Sequence, residues 1–210
     1  MILLITLLSV LRTSQTSADT RSGQALIDES AAKLKSAKSL TFTLTATEAH
    51  GPHLKEQVKI LRGGYESTTS DLVVMISTPK GSWNLYPKTK MYSWSGPHDS
   101  KAWHSISGLE SLDEAPIPLR ALSGPLDGKL GKKTTVRVEV KSTDPVAKEF
   151  VLFDPKTKLP MGDETTGPTS AWTYTYEDFN LDARLKPEDF DWVPPADWTK
   201  MAPQKPAPRA

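Results

Sequence analysis

The apolar residues of this chain change their spacing near Ser22 and again at Leu40, and those two changes lay out its organisation. Ile2 to Leu11 is an almost unbroken apolar run, too short to cross a bilayer as a helix. Thr16-Ser17-Ala18 supplies small residues at a cleavage position ahead of Asp19, so residues 1–18 read as a secretory signal peptide. No Lys or Arg precedes the run and Arg12 follows it, so its leading charge comes from the amino terminus or from an upstream start. Ser22 to Lys38 then takes a helical period. Leu26, Ile27, Ala31, Leu34 and Ala37 make one stripe, opposite Asp28, Glu29, Lys33 and Lys35. The acids lie early and the lysines late, as the helix dipole favours.

From Leu40 the period falls to two. Leu40 to Thr47 alternates apolar residues with threonine. Gly51-Pro52 turns the chain, and Leu54 to Arg62 returns with Val58 and Ile60 on one face. Gly63-Gly64 interrupts, and Leu72 to Ile76 is apolar throughout, the pattern of a strand covered on both sides. Trp83 to Tyr86 and Met91 to Trp94 make a hairpin about Pro87-Lys88-Thr89-Lys90. Lys101 to Gly128 lacks alternation and carries three prolines; a segment this long reads as a cover over a sheet face or as a functional loop. Strands resume at Thr135–Lys141, Glu149–Phe153 and Leu159–Thr166, with a turn at Asp154 to Lys158. Trp172, Tyr174 and Tyr176 alternate with Thr173 and Thr175 in the last long strand. Asn180 to Asp182 breaks it, and Phe190 to Val193 resumes alternation before Pro194-Pro195, so Phe190 and Trp192 share a face at a sheet end. The folded domain is expected at 22–198 and a Pro-rich disordered tail at 199–210.

The order of these features carries a resemblance. Ala25-Leu26 to Leu34 leads into the Leu40 strand. Asp154-Pro155-Lys156-Thr157-Lys158-Leu159-Pro160 follows, and Leu181 through Pro195 ends in F-x-W-x-P-P. Over most of 22–198 the chain resembles the bacterial outer-membrane lipoprotein-sorting (LolA-like) superfamily. The resemblance implies an α+β fold, mainly antiparallel β, forming an incomplete half-open β-barrel with helices covering its concave face. It implies an exported carrier, periplasmic or secreted, that receives acyl chains of a lipoprotein or lipid. An envelope membrane protein is the further partner expected, and the chain is expected to be a monomer. Carriers of the superfamily hold their lid shut with an arginine. Arg62 is the matching residue here, although Gly63-Gly64 follows it where the family continues a strand. Relatives of the same architecture sense stress rather than carry cargo, so a sensor, regulatory or structural module without lipid is the alternative.

Composition sharpens this by exclusion. The net charge of +1 gives no field for nucleic acid. The absence of cysteine removes disulfides, thiolate metal sites, a cysteine nucleophile and a lipidated cysteine anchor. Gly128-Lys129-Leu130-Gly131-Lys132-Lys133-Thr134 has phosphate-loop composition at the wrong spacing and leads into a strand, so a basic hairpin is the better reading. His104-Ser105-Ile106-Ser107-Gly108 has one of the two glycines of a nucleophile elbow. His50 and His53, with His98 or His104, have no carboxylate pair at ligand spacing and read as exposed turn residues. Glu177-Asp178 and Asp189-Asp191 read as solvated turn formers rather than an acid–base pair. No enzyme and no cofactor is expected.

An acyl carrier needs apolar walls and a movable cover. Each buried methylene stabilises by about 0.8 kcal/mol. The candidate wall is Phe42, Leu44, Val58, Ile60, Trp83, Leu85, Trp94, Val138, Phe150, Trp172 and Tyr174. The same residues would equally make a filled core. For export, N-terminal sequencing of protein from its native host is expected to find a mature start at Asp19; recovery of intact Met1 from the cytosol would overturn the signal peptide.

Overall fold

The computed structural model describes residues 20–48, 53–96, 119–142, 144–167 and 171–202. Among them one helix, α1 (20–36), precedes a single sheet. Its strands are β1 (Ser39–Glu48), β2 (His53–Leu61), β3 (Tyr65–Thr69), β4 (Val74–Thr78), β5 (Gly81–Tyr86), β6 (Met91–Ser95), β7 (Leu126–Leu130), β8 (Lys133–Val140), β9 (Lys148–Phe153), β10 (Pro160–Thr166), β11 (Ala171–Asn180) and β12 (Thr199–Lys200). The spatial order is β12-β6-β5-β4-β3-β2-β1-β11-β10-β9-β8-β7. Two antiparallel meanders, β1–β6 and β7–β11, are thus joined by the antiparallel pair β1–β11, and β12 lies parallel to β6. The sheet stays open rather than closing as a barrel.

The predicted stripe packs α1 onto this sheet. Leu26, Ile27, Leu34 and Ala37 are buried against Leu40, Phe42 and Leu44 of β1, Val58 and Ile60 of β2, Val138 and Val140 of β8, Val151 and Phe153 of β9, and Tyr176 of β11. Each large aliphatic side chain buried there contributes about 1.5–3 kcal/mol. The helix runs across the strands. At its start Gln24 donates to the Leu119 carbonyl at 3.1 Å and accepts from the Ala121 amide at 3.0 Å. At its end Arg62 of the β2–β3 turn donates from Nε to the Ala37 carbonyl at 2.7 Å. It also donates from Nη2 to the carbonyls of Leu34 and Lys35. The Leu34 carbonyl also accepts the Ala37 amide at 3.2 Å, so Arg62 adds to the bonding of the helix end, where a cation also suits the dipole.

Phe42 meets Tyr176 and Phe179 with ring centroids 5.9 and 5.2 Å apart. Residues three apart on a strand face opposite ways. A bulge resolves this: Thr41 opposes Asn180 while Thr43 opposes Glu177, and Asp178 takes φ 56°. The extra residue brings both rings back to Phe42.

A second cluster forms around Ile76, Leu85 and Phe190, with Tyr65, Val74, Trp83, Tyr92, Leu185, Trp192 and Trp198 against it. Cα partners across antiparallel strands share a face. Following the register from Val58 through Thr68, Met75 and Asn84 to Ser93 shows that Ile76, Leu85 and Trp83 point away from α1. The sheet therefore carries two cores on opposite faces, the second covered by the returning segment 185–198.

Several expectations are corrected. One helix, not several, covers the sheet among the described residues. Leu72 to Ile76 is not covered on both sides: Leu72 is 62% and Met75 37% exposed, because only the Val74–Ile76 face meets the second cluster. A strand, β3, occupies Tyr65–Thr69, where sequence alternation shows none. Leu126 to Gly128, placed in the irregular middle segment, begin β7 (Leu126–Leu130), which pairs with β8 across the basic Gly128–Thr134 stretch; residues 101–118 of that segment lie outside the described residues. Phe190 ends a 3-10 turn, Pro187–Phe190, instead of starting a strand, yet Phe190 and Trp192 do meet the same cluster at the sheet's end. Thr199–Lys200, assigned to the tail, is the strand β12.

Gly23 marks how closely α1 approaches the β7–β11 meander. A Cβ there would lie 2.1 Å from the Ser123 carbonyl oxygen and 3.2 Å from Val138. Gly23→Ala gains helix propensity but must push the helix off the sheet. A net loss of about 1–2 kcal/mol is expected, read from the urea midpoint; an unchanged or raised midpoint would show that the helix can slide.

Candidate functional site

The face of the sheet that carries α1 has two unlike halves. Under the helix it is apolar and closed. Phe42 is 2% exposed and Val138 and Leu34 are fully buried, so this half holds side chains in contact with one another. Beyond β2 the same face turns polar. Glu66 and Thr68 of β3 and Ser77 of β4 are buried there, and Asn84 and Ser93 follow in register. Ser77 and Ser82 hydroxyls lie 2.9 Å apart, and Asn84 donates to Ser93 at 3.3 Å.

At the β5–β6 end this polar half opens into a groove of about 850 Å³. Asn84, Tyr86, Ser93 and Ser95 line it, with Trp94, Lys200, Met201 and Ala202 at its rim. Lys200 Nζ stands 5.5 Å from the Trp94 ring centroid. The strand β12 that forms one side pairs Thr199 with Met91 and Lys200 with Tyr92, and the Met201 amide donates to the Tyr92 carbonyl at 2.7 Å. Ser93 to Ser95 lie past the end of that pairing. Lys90 and Asp197, 2.6 Å apart on the surface, tether β12 beside β6; the bond raises the lysine's pKa and lowers the aspartate's.

The predicted wall residues divide between these regions. Phe42, Leu44, Val58, Ile60 and Val138 do come together, beneath α1. Tyr174 packs against that cluster and stacks on Trp172, centroids 6.2 Å apart. A smaller cavity of about 220 Å³ lies beside Tyr174, bounded also by Leu119, Val140, Val151 and Asp163. Trp83 and Leu85 belong to the cluster on the opposite face, and Trp94 sits at the rim of the groove, 5.9 Å from Trp83. Phe150 also borders that smaller cavity and lies under the Arg137 guanidinium at 3.5 Å, and Arg137 pairs with Glu164 at 3.2 Å. Arg62 grips the C-terminal end of α1. The middle segment that a lid contact would involve lies, at 101–118, outside the described residues.

Sequence pattern missed Glu66, Thr68 and Ser77. Their strands carry few apolar residues on this face, so no alternation announces them. The signal available was Gly63-Gly64, whose φ values of 98° and 85° mark a turn that only glycine makes easily, and hence a further strand beyond it.

No catalytic constellation assembles among the described residues, and no group of three or more His, Asp or Glu side chains there could hold a metal. His53 is exposed, its Nδ1 3.1 Å from the Thr47 hydroxyl; His50, His98 and His104 lie outside the described residues. Glu177, one of the acids weighed from sequence, pairs with Lys133 at 2.6 Å, which lowers its pKa.

Solved structures resemble this chain to different degrees. An uncharacterised conserved protein from Thermus thermophilus superposes with a TM-score of 0.54 at 13% identity, over 85% of this chain and 97% of that one. The MucA/MucB complex of Pseudomonas aeruginosa gives a TM-score of 0.49 at 11% identity, over 81% of this chain and 61% of its own. A LolA superfamily protein from Nitrosomonas europaea gives 0.34 at 9% identity, over 81% of this chain and 98% of its own. No protein-family model matches the sequence, and no curated protein does. At these identities the likeness is one of fold alone, and of these three superpositions the Thermus one carries it. The class so defined is structural: a helix laid on an open antiparallel sheet of mixed α+β type.

Phe42→Ala distinguishes a closed interior from an open cavity wall. With Tyr176 and Phe179 against the ring, its removal leaves a hole, and a loss of about 3–5 kcal/mol is expected in denaturant melts. A loss below about 1 kcal/mol would mean that the ring borders empty space.

Proposed function

We propose that this chain is a non-enzymatic, exported binding module of the bacterial envelope that takes a polypeptide segment on the polar half of its inner face. Export is supported by the Ile2–Leu11 run and Ala18, and the envelope by the LolA-like order of motifs. The observation that carries the reading is chemical. Beyond α1 the sheet face carries Glu66, Thr68 and Ser77, all buried, then half-buried Asn84 and Ser93, with Met75 exposed in the same row, so it is mostly polar rather than a methylene-lined wall. Hydroxyl, amide and carboxylate groups that now bond one another can exchange those bonds for bonds to a peptide's backbone, which a hydrocarbon does not offer. The groove beside Ser93–Ser95 adds a stretch of strand edge past β12, and an extended segment entering there would continue the main-chain pairing that β12 begins.

The acyl-carrier reading stands second, on the apolar residues gathered around Phe42. It requires α1 to lift from the sheet so that acyl chain replaces Leu26, Ile27 and Leu34. One pair of measurements separates the two. Protein isolated from its native host is expected to carry no co-purifying lipid in native mass spectrometry, and a fluorescent fatty acid is expected to show no saturable binding. A photo-crosslinking residue at position 84 or 93 is expected to give discrete protein adducts in cells, and one on the exposed surface of α1 at position 32 none. Stoichiometric lipid with no adducts at 84 or 93 would replace this reading with the carrier.

A further inference from the structure

An open sheet has two edges, and here they are treated differently. The edge at β6 is met by β12, whereas β7 ends the strand order and, among the described residues, pairs on one side only, with β8. β7 reads Leu126-Asp127-Gly128-Lys129-Leu130. Leu126 is 51% exposed, and Asp127 and Lys129 are exposed beside it. Neither charged residue enters an ion pair among the described residues.

The five residues are chemically symmetric about Gly128, with leucine at both ends and opposite charges at the two inner positions. Laying an identical strand antiparallel on the free edge, Gly128 opposite Gly128, sets Leu126 against Leu130 of the second copy and Asp127 against its Lys129. A two-fold axis repeats each pair. Either set of alternate residues can aim its N–H and C=O groups outward, and both arrangements make a regular ladder about that axis. Opposite charges and apolar pairs directly across such a ladder attract.

We propose that β7 is a self-pairing edge, through which a second copy of this chain docks by antiparallel β7–β7 pairing about Gly128. Strand edges are blunted by shortness, charged side chains, proline, bulges or a covering element, and β7 is short and charged; its two charges, however, are opposite and symmetrically placed. β7 runs in unbroken register with β8, has no proline within it, and carries charges whose signs reward the symmetric partner. Alternation puts Asp127 and Lys129 on one face and both leucines on the other, so the charge pairs and the leucine pairs form separate rows. One short strand pair is small for an interface, so the dimer is weak and concentration-dependent. This surface is remote in the strand order from the β5–β6 groove, and the proposal stands or falls independently of what that groove binds.

Sedimentation velocity on the mature chain across a concentration series tests it. Wild type is expected to move from monomer toward a two-copy species as concentration rises. Asp127→Lys places lysine against Lys129 of the second copy twice, and Lys129→Asp does the same with aspartate; each is expected to weaken association by about tenfold or more. The double exchange, D127K with K129D, restores opposite charges and is expected to return association close to wild type. Denaturant midpoints of all variants, expected to be unchanged for exposed side chains, keep folding defects apart from pairing. A wild type that stays monomeric at the highest soluble concentration overturns the proposal. So do single reversals that leave association unchanged, or a double exchange that fails to restore it.

Discussion

Pairing of β1 with β11 makes one surface out of two meanders that would otherwise be separate. The partners come from opposite ends of the folded chain, so forming the pair closes nearly the whole of it and costs loop entropy before any contact offsets it. Burial at the seam supplies the compensation. Leu44 opposes Tyr176, and the bulge at Asp178 delivers Phe179 to the same ring of Phe42 that Tyr176 touches. The helix α1 then lies across the seam, holding β8 and β9 of one meander and β1 and β2 of the other under one apolar stripe. Arg62 fixes the far end of that helix by donating to the carbonyls of Leu34 and Ala37.

A helix this short covers only part of a sheet this wide. The β3–β6 end therefore turns its apolar residues to the other face, where the returning segment with Phe190, Trp192 and Trp198 covers Ile76 and Leu85. That reversal leaves the inner face of the same strands polar. That polar face is what the proposed peptide-binding role rests on. The return of the chain along β6 as β12, held by Lys90 and Asp197, shows that extended chain already pairs at this edge.

Much of the fold was legible from residue spacing. The α1 stripe, the Leu40–Thr47 strand, the β5–β6 hairpin and the aromatic strand β11 all announce themselves, because each has one buried face and one solvated face. β3 did not, since its buried face carries Glu66 and Thr68, and polar burial leaves no periodic trace. Leu72 to Ile76 misled for the converse reason: apolar composition counts residues and says nothing about which have a neighbour to lie against. The candidate wall suffered the same limit. Phe42 and Trp83 look alike on their strands, and only a register followed through β2, β3 and β4 tells that they point to opposite sides.

What the amino-acid order determined by itself was local: where the period is three to four, where it is two, and where glycine and proline end a run. Those features depend on neighbours within a few residues, whose geometry is set by the backbone. Which face of each strand meets the helix, which meets the returning C-terminal segment, and which stays open were decided by the tertiary structure. They depend on the β1–β11 seam and on where a single helix can reach, and a one-residue change of register would exchange the two faces throughout a strand.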